Sequence, residues 1–268
     1  MRKTMYYTSY EDDLVDSTNQ DYKLKDNYKW VHKNPFYVFF AWLLYIFLTI
    51  PVGLIYTKLI LRVSYKNRKA LRRSKLKGYF LYSNHTQAFG DVVMPAIAAL
   101  PKRIYTVVSP ANFALPVIGR ILTMIGALPT PDSIKGFKQF RAAYTRRIKM
   151  GHPVIIYPEA HLWPYYTKIR PFKDTSFRFP VELKTAAYVQ TVTYQKRRFS
   201  DKAKITIYYD GPFYPDETLS TKEAQKKLHD EIYNTMLERA KNSNYEYYNY
   251  MPKNESDIRQ GKGEQKAI

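Results

Sequence analysis

Five short apolar runs rich in aromatic and β-branched residues recur along the chain: GYFLYS at 78–83, RIYTVV at 103–108, PVIIYP at 153–158, YVQTVTY at 188–194 and KITIYYDGP at 204–212. Each has the length and residue types of a strand. Between most of them the apolar positions change to helical spacing, over 92–100, 117–125, 134–150 and 172–183. In the third segment Phe137, Phe140, Tyr144 and Ile148 share one face, while Lys135, Lys138, Arg146 and Lys149 lie off it. A last helix is predicted over 221–241, with Ser220 as N-cap, Glu223 three residues on, and Leu228, Ile232 and Met236 as its apolar stripe. Strands alternating with helices predict an α/β fold, a mostly parallel β-sheet flanked by helices.

Residues 36–57, FYVFFAWLLYIFLTIPVGLIYT, carry no charge. As a helix, 36–56 is roughly 32 Å long, enough to cross a bilayer. Pro51 and Gly53 are expected to kink or break it, so a hairpin entering one leaflet is as good a reading as a span. Polar sequence with Glu11, Asp12, Asp13 and Asp16 precedes the run and no small-residue cleavage site follows, so it does not read as a cleavable signal. Arg62, Lys66, Arg68, Lys69, Arg72, Arg73, Lys75 and Lys77 come next, a belt suited to the anionic cytoplasmic face of the cell membrane. The alternative is a buried core helix with a solvated, charged connector. The expected organisation is a polar N-terminal extension (1–35), a membrane-associated helix or hairpin (36–65), an α/β domain (66–244) and a polar, mobile C-terminal tail (245–268).

The 268 residues suit one core. With no cysteine, disulfides, thiolate metal sites and cysteine nucleophiles are excluded. The net charge of +20 predicts an anionic partner: membrane lipid, nucleic acid or an acidic carrier protein. The 26 tyrosines can stack on single-stranded nucleic acid, but filling a core and lining a wet interface is the simpler use. There is no Gly-rich phosphate loop and no GxSxG elbow.

The first predicted strand runs into NHTQAFGD at 84–91, a polar loop at the carboxyl end of a strand, where α/β folds place ligands. His85 is a candidate general base and Asp91 the carboxylate that orients it. No serine stands as an obvious nucleophile for the pair, so His85 would deprotonate a substrate hydroxyl directly. A loop histidine beside a helix-capping aspartate is the plainer alternative.

Four blocks in order resemble the glycerolipid acyltransferases that make phosphatidic acid from lysophosphatidic acid: the Asn-His-then-Asp loop, ANFALPVIGRILTMIGALPTPDS at 111–133, IIYPEA at 155–160 and FKDTSFRFPVELKTAAYVQTVTY at 172–194. The resemblance spans about 36–212. It implies a membrane-associated O-acyltransferase that takes a fatty acyl group from an acyl-carrier protein or CoA thioester, with no metal or other cofactor and no nucleic-acid partner. The acceptor would be a lysolipid, foremost 1-acyl-sn-glycerol-3-phosphate.

Two departures stand out. The family separates its His and Asp by four residues, and here Thr86 to Gly90 make five, with Gly90 free to form a bulge. The family's Glu-Gly-Thr-Arg is here Glu159, Ala160, His161, Leu162, without the Arg expected on the acceptor phosphate. In its place stand His161, Lys168, Arg170 and Lys173, with Asn84 as a further substrate-binding candidate and Glu159 as organiser of the pocket. Oxyanion donors are expected among the backbone N–H groups of 84–87. Phe113, Leu115, Val117, Ile118 and Leu122 are candidates for an acyl wall, or are simply core. Other readings remain open at this level: a different lysophospholipid or glycolipid acceptor, a non-catalytic membrane-attached binder of anionic lipid or nucleic acid, or a metal hydrolase using His85, Asp91, Glu159 and His161.

Overall fold

The computed structural model describes residues 3–15, 21–25, 27–74, 77–115 and 118–253. Nine strands are present among them: β1 (Thr4–Tyr7), β2 (Ser64–Lys66), β3 (Phe80–Ser83), β4 (Tyr105–Val108), β5 (Ala127–Pro129), β6 (Val154–Ile156), β7 (Ala187–Arg197), β8 (Ser200–Phe213) and β9 (Asn249–Pro252). Seven form one sheet in the order β2-β8-β7-β3-β6-β4-β5, parallel throughout except for the β7–β8 hairpin. Its central strand β3 is buried on both faces and reads as continuous apolar sequence for that reason. The helices are α3 (Gly90–Ala98), α4 (Ile118–Ile125), α5 (Ile134–Lys149), α6 (Arg178–Leu183) and α7 (Thr221–Ala240). Phe140, Tyr144 and Ile148 of α5 and Leu228, Ile232 and Met236 of α7 enter one core beneath β3 and β6, and Ser220 with Glu223 closes a capping box on α7. The mostly parallel α/β fold is therefore the observed one.

The apolar run forms α1 (Pro35–Leu44) and α2 (Ile50–Ile55), joined and followed by π-helical turns at Tyr45–Thr49 and Tyr56–Ile60. Together they make one continuous helix of 26 residues, about 39 Å long and by length and composition able to cross a membrane. Neither Pro51 nor Gly53 breaks it. The first π turn shifts the hydrogen-bond register, and Pro51 then sits in the opening turn of α2, where a missing N–H costs little.

The π turns also solve a geometric problem. Ala41, Tyr45, Thr49, Gly53 and Thr57 are the buried residues of this helix, spaced four apart. In an ideal α-helix such a stripe drifts by about 40° per step, and the wider π turns remove the drift. The stripe docks on α3 and α4 along its length. The opposite side bares Phe36, Phe39, Phe40, Phe47, Ile55 and Leu59, all more than half exposed.

Both chain termini depart from expectation. The polar extension carries Met5, Leu14, Leu24 and Trp30 into cores, and the tail is not structureless from 245: β9 pairs in parallel with β1, Met5 opposite Tyr250. Stacked rings of Trp163 and Tyr250, with Tyr7 and Tyr166 against them, hold the two ends together. Aromatic packing across some 240 residues of sequence leaves no local periodicity to read. The boundary drawn at 65 likewise passes through β2, an edge strand of the main sheet. Within the basic belt Arg68 donates to the carbonyls of Ile97 and Ala98, Lys75 lies outside the described residues, and Arg62, Lys66, Lys69, Arg72, Arg73 and Lys77 are exposed.

A Cβ on Gly53 would stand 3.1 Å from Ile97 Cδ1 and 3.3 Å from Val93 Cβ. Gly53→Leu is expected to undock α2 from α3 and lower stability by about 1–3 kcal/mol, measured by thermal unfolding in detergent.

Candidate active site

β3 lies between β6 and β7, and the chain leaves its carboxyl end through 84–89 before entering α3 at Gly90. Asp91, in the first turn of α3, is buried, and its Oδ2 sits 2.7 Å from Nδ1 of His85. The same oxygen accepts the backbone N–H groups of Thr86 and Gln87 at 3.0 and 2.9 Å. A carboxylate at Nδ1 assigns the proton to that nitrogen and leaves Nε2 as the basic atom. The His85 side chain keeps 22% of its surface open, enough to meet a substrate. Tyr157 stacks on the imidazole, ring centres 4.6 Å apart, and its hydroxyl donates to the main-chain carbonyl of Asp91.

The five-residue spacing thus still yields the pair. The Asp91 N–H bonds back to the Gln87 carbonyl, so the extra residue is taken up in the turn that starts α3. Gly90 is required there by close approach, since a Cβ would lie 2.8 Å from Gln87 Cβ and 3.1 Å from Met94 Cε.

Asn84 does not face substrate. It is buried, and its amide bonds both the N–H and the carbonyl of Val192 on β7, a structural clamp that corrects its assignment as a binding residue. Three of the expected oxyanion donors are committed: the N–H of His85 bonds Glu159 Oε2 and those of Thr86 and Gln87 bond Asp91. Tyr194, buried on β7, donates to Thr86 Oγ1 at 2.7 Å and accepts from the Gln87 amide at 3.1 Å. Nothing in the sequence singles out Tyr157 and Tyr194, because a tyrosine in an apolar strand run looks like core.

Glu159 follows β6 and is buried with Arg170, Oε2 to Nη2 at 3.1 Å. Its Oε1 accepts the Arg170 N–H. The guanidinium of Arg170 also donates to the carbonyls of Tyr10 and His161 and lies over the Trp163 ring. At 1% exposure Arg170 cannot meet an acceptor phosphate, which overturns that candidate role. Glu159 instead organises the loop by fixing the backbone of His85. Burial pushes the carboxyls of Asp91 and Glu159 upward, opposed by His85 and Arg170 respectively.

His161 pairs with Asp13 at 2.8 Å. With Glu159 held by Arg170 and His161 by Asp13, the four groups of the metal-hydrolase reading do not converge, and no group of three such ligands is found among the described residues. Lys168 and Lys173 are exposed, Lys168 on a tyrosine-lined cavity with Tyr7, Tyr166 and Tyr248. Of the acyl-wall candidates, Phe113 lines a groove with Tyr28, Gly119 and Arg120, Leu115 is exposed and Leu122 is half-buried on α4. Ile118 opens α4, and Val117 lies outside the described residues.

The family model described as Acyltransferase matches residues 62–195, half of the chain and the half that holds His85, Asp91 and Glu159. The protein belongs to the glycerolipid acyltransferase family. Its structure is similar to the crystal structure of the 1-acyl-sn-glycerophosphate acyltransferase PlsC from Thermotoga maritima, with a TM-score of 0.52 over 78% of this chain and 95% of that one, at 15% identity. At that identity the likeness extends to the fold. A comparison with curated protein sequences found no match.

Arg170→Ala strands the Glu159 carboxylate in the interior and is expected to cost about 3–5 kcal/mol, checked by denaturant unfolding. Gly90→Ala forces Gln87 and Asp91 apart; it is expected to cost about 1–3 kcal/mol by thermal unfolding and, in the protein that remains folded, to lower acyl transfer at least about tenfold through the displaced orienting group.

Proposed function

We propose that the protein is a membrane-associated O-acyltransferase that transfers a fatty acyl group from an acyl-carrier protein or CoA thioester to the hydroxyl of a lysolipid, foremost 1-acyl-sn-glycerol-3-phosphate. The observation that carries this reading is the His85–Asp91 pair, with Nε2 left basic at the carboxyl end of the central strand. As the acceptor oxygen attacks the thioester carbonyl carbon, His85 Nε2 takes the hydroxyl proton. Asp91 stabilises the imidazolium. Collapse of the tetrahedral intermediate breaks the C–S bond, and the leaving thiolate takes the proton back from His85. Tyr157 limits the imidazole to one plane through ring stacking.

Membrane association is supported by the 26-residue helix. One side docks on α3 and α4 along its length and the other is apolar and open, so it suits lying within one leaflet better than standing free across two. Tyr56 near its end packs against Phe89 of the catalytic loop, a contact that would bring the loop to the lipid surface once the helix is embedded. The +20 charge suits anionic lipid at the cytoplasmic face and an acidic carrier protein.

A second acceptor reading, another lysophospholipid or a glycolipid, draws on one observation: Arg170, the nearest arginine after Glu159, is locked in the interior. Acyl transfer from a carrier thioester to a panel of lysolipids in liposomes tests both. His85→Ala should lower kcat by about a hundredfold to ten-thousandfold. Full activity in that variant would sink the mechanism, and preference for a phosphate-free acceptor would favour the second reading.

A further inference from the structure

At the amino ends of β4 and β6, the end of the sheet opposite His85, cationic side chains gather, and among the described residues no carboxylate pairs with Arg103 or Arg147. Arg103 precedes β4, His152 precedes β6 and Arg147 stands in the last turn of α5. The guanidinium carbons of Arg103 and Arg147 lie 5.1 and 4.4 Å from the centre of the same Tyr105 ring, and the His152 ring meets that ring edge-on at 5.6 Å. Lys102 joins them, its ammonium held to the carbonyl of Lys77. Arg103 donates to the carbonyl of Met124, while the Arg147 guanidinium has no hydrogen bond among the described residues. The Nε atoms of both arginines are buried without a partner.

Half-buried like charges of this kind, with the two Nε atoms fully enclosed, call for a counter-charge. The partial negative charge at the end of α5 meets some of the demand. Among the described residues, Lys29, His32, Tyr37, Tyr45 and Arg146 also stand around them, none of them acidic. Burial and the neighbouring Arg103, Arg147 and Lys102 accordingly hold His152 down at about 4, so it is neutral at pH 7. Two arginines presenting planar donors beside a lysine suit a multidentate oxyanion.

We infer that Lys102, Arg103, Arg147 and His152 form a binding site for a phosphoryl group, separate from the catalytic pair. Arg103 also lies over Tyr45 of the apolar helix, and Tyr37 of the same helix adjoins Arg147, so the site is placed to hold the headgroup phosphate of a membrane lipid. This inference does not depend on acyl transfer.

The test is the His152 C2-proton resonance of the full chain in zwitterionic detergent, titrated with pH at constant ionic strength. A bound anion favours the imidazolium, so inorganic phosphate, or micelles doped with phosphatidylglycerol, should raise the midpoint by about one unit, a tenfold change in proton affinity. Arg147→Gln should abolish the rise and Arg147→Lys retain most of it. A shift with doped micelles at far lower phosphate concentration identifies a lipid headgroup as the source, and one with inorganic phosphate alone identifies a soluble phosphate. No shift with either, or an equal shift with chloride, overturns the site. The wild-type titration decides the matter even if the glutamine variant fails to fold. Flotation with phosphatidylglycerol vesicles should fall about fivefold in Arg147→Gln.

Discussion

The buried Glu159–Arg170 pair is the constraint around which the candidate site is arranged. A carboxylate and a guanidinium at 0% and 1% side-chain exposure remain there only because every oxygen is bonded. Glu159 Oε2 accepts from both the Arg170 guanidinium and the N–H of His85, and Arg170 reaches on to the carbonyls of Tyr10 and His161. One ion pair thereby joins the loop after β3, the loop after β6 and the N-terminal arm. The arginine itself serves as the tie.

The imidazole is positioned by restraints from several sides. Asp91 holds Nδ1, Glu159 holds the backbone N–H, and Tyr157 covers one face. Trp163 donates to the His85 carbonyl and Tyr165 to that of Thr86. Each comes from an element that the sheet brings together: β3 lies between β6 and β7, so residues after β6 and on β7 necessarily flank the loop that follows β3. Such a supported base is what proton transfer in a preorganised site requires. The cost is that the N–H groups of His85, Thr86 and Gln87 are already used, and a developing oxyanion must find other donors.

Much of this was legible along the chain. Parallel strands buried on both faces give unbroken apolar runs, and α5 and α7 show the 3.6-residue repeat, so the α/β class and the amphipathic helices could be read locally. The His85–Asp91 pair could be named from its place after a strand. Its geometry could not, because the five-residue spacing works only when Gly90 lets Gln87 come within reach of Asp91. Asn84 and Arg170 differ from their expected roles for a related reason. A polar residue in a loop looks the same in sequence whether it faces solvent or a buried carbonyl.

Periodicity and residue type over short spans were enough to fix the fold class, the presence of one long apolar segment and the identity of the candidate base. Tertiary structure decided what packs across distance. It kept the apolar helix whole through Pro51 by inserting π turns that hold one stripe against α3 and α4. It joined β1 to β9 through stacked aromatics, and it assigned Arg170 to Glu159 rather than to solvent. The physical reason is the same in each case: a partner that is far along the chain leaves no periodic mark in the sequence, and only the folded geometry shows which groups are close enough to pair.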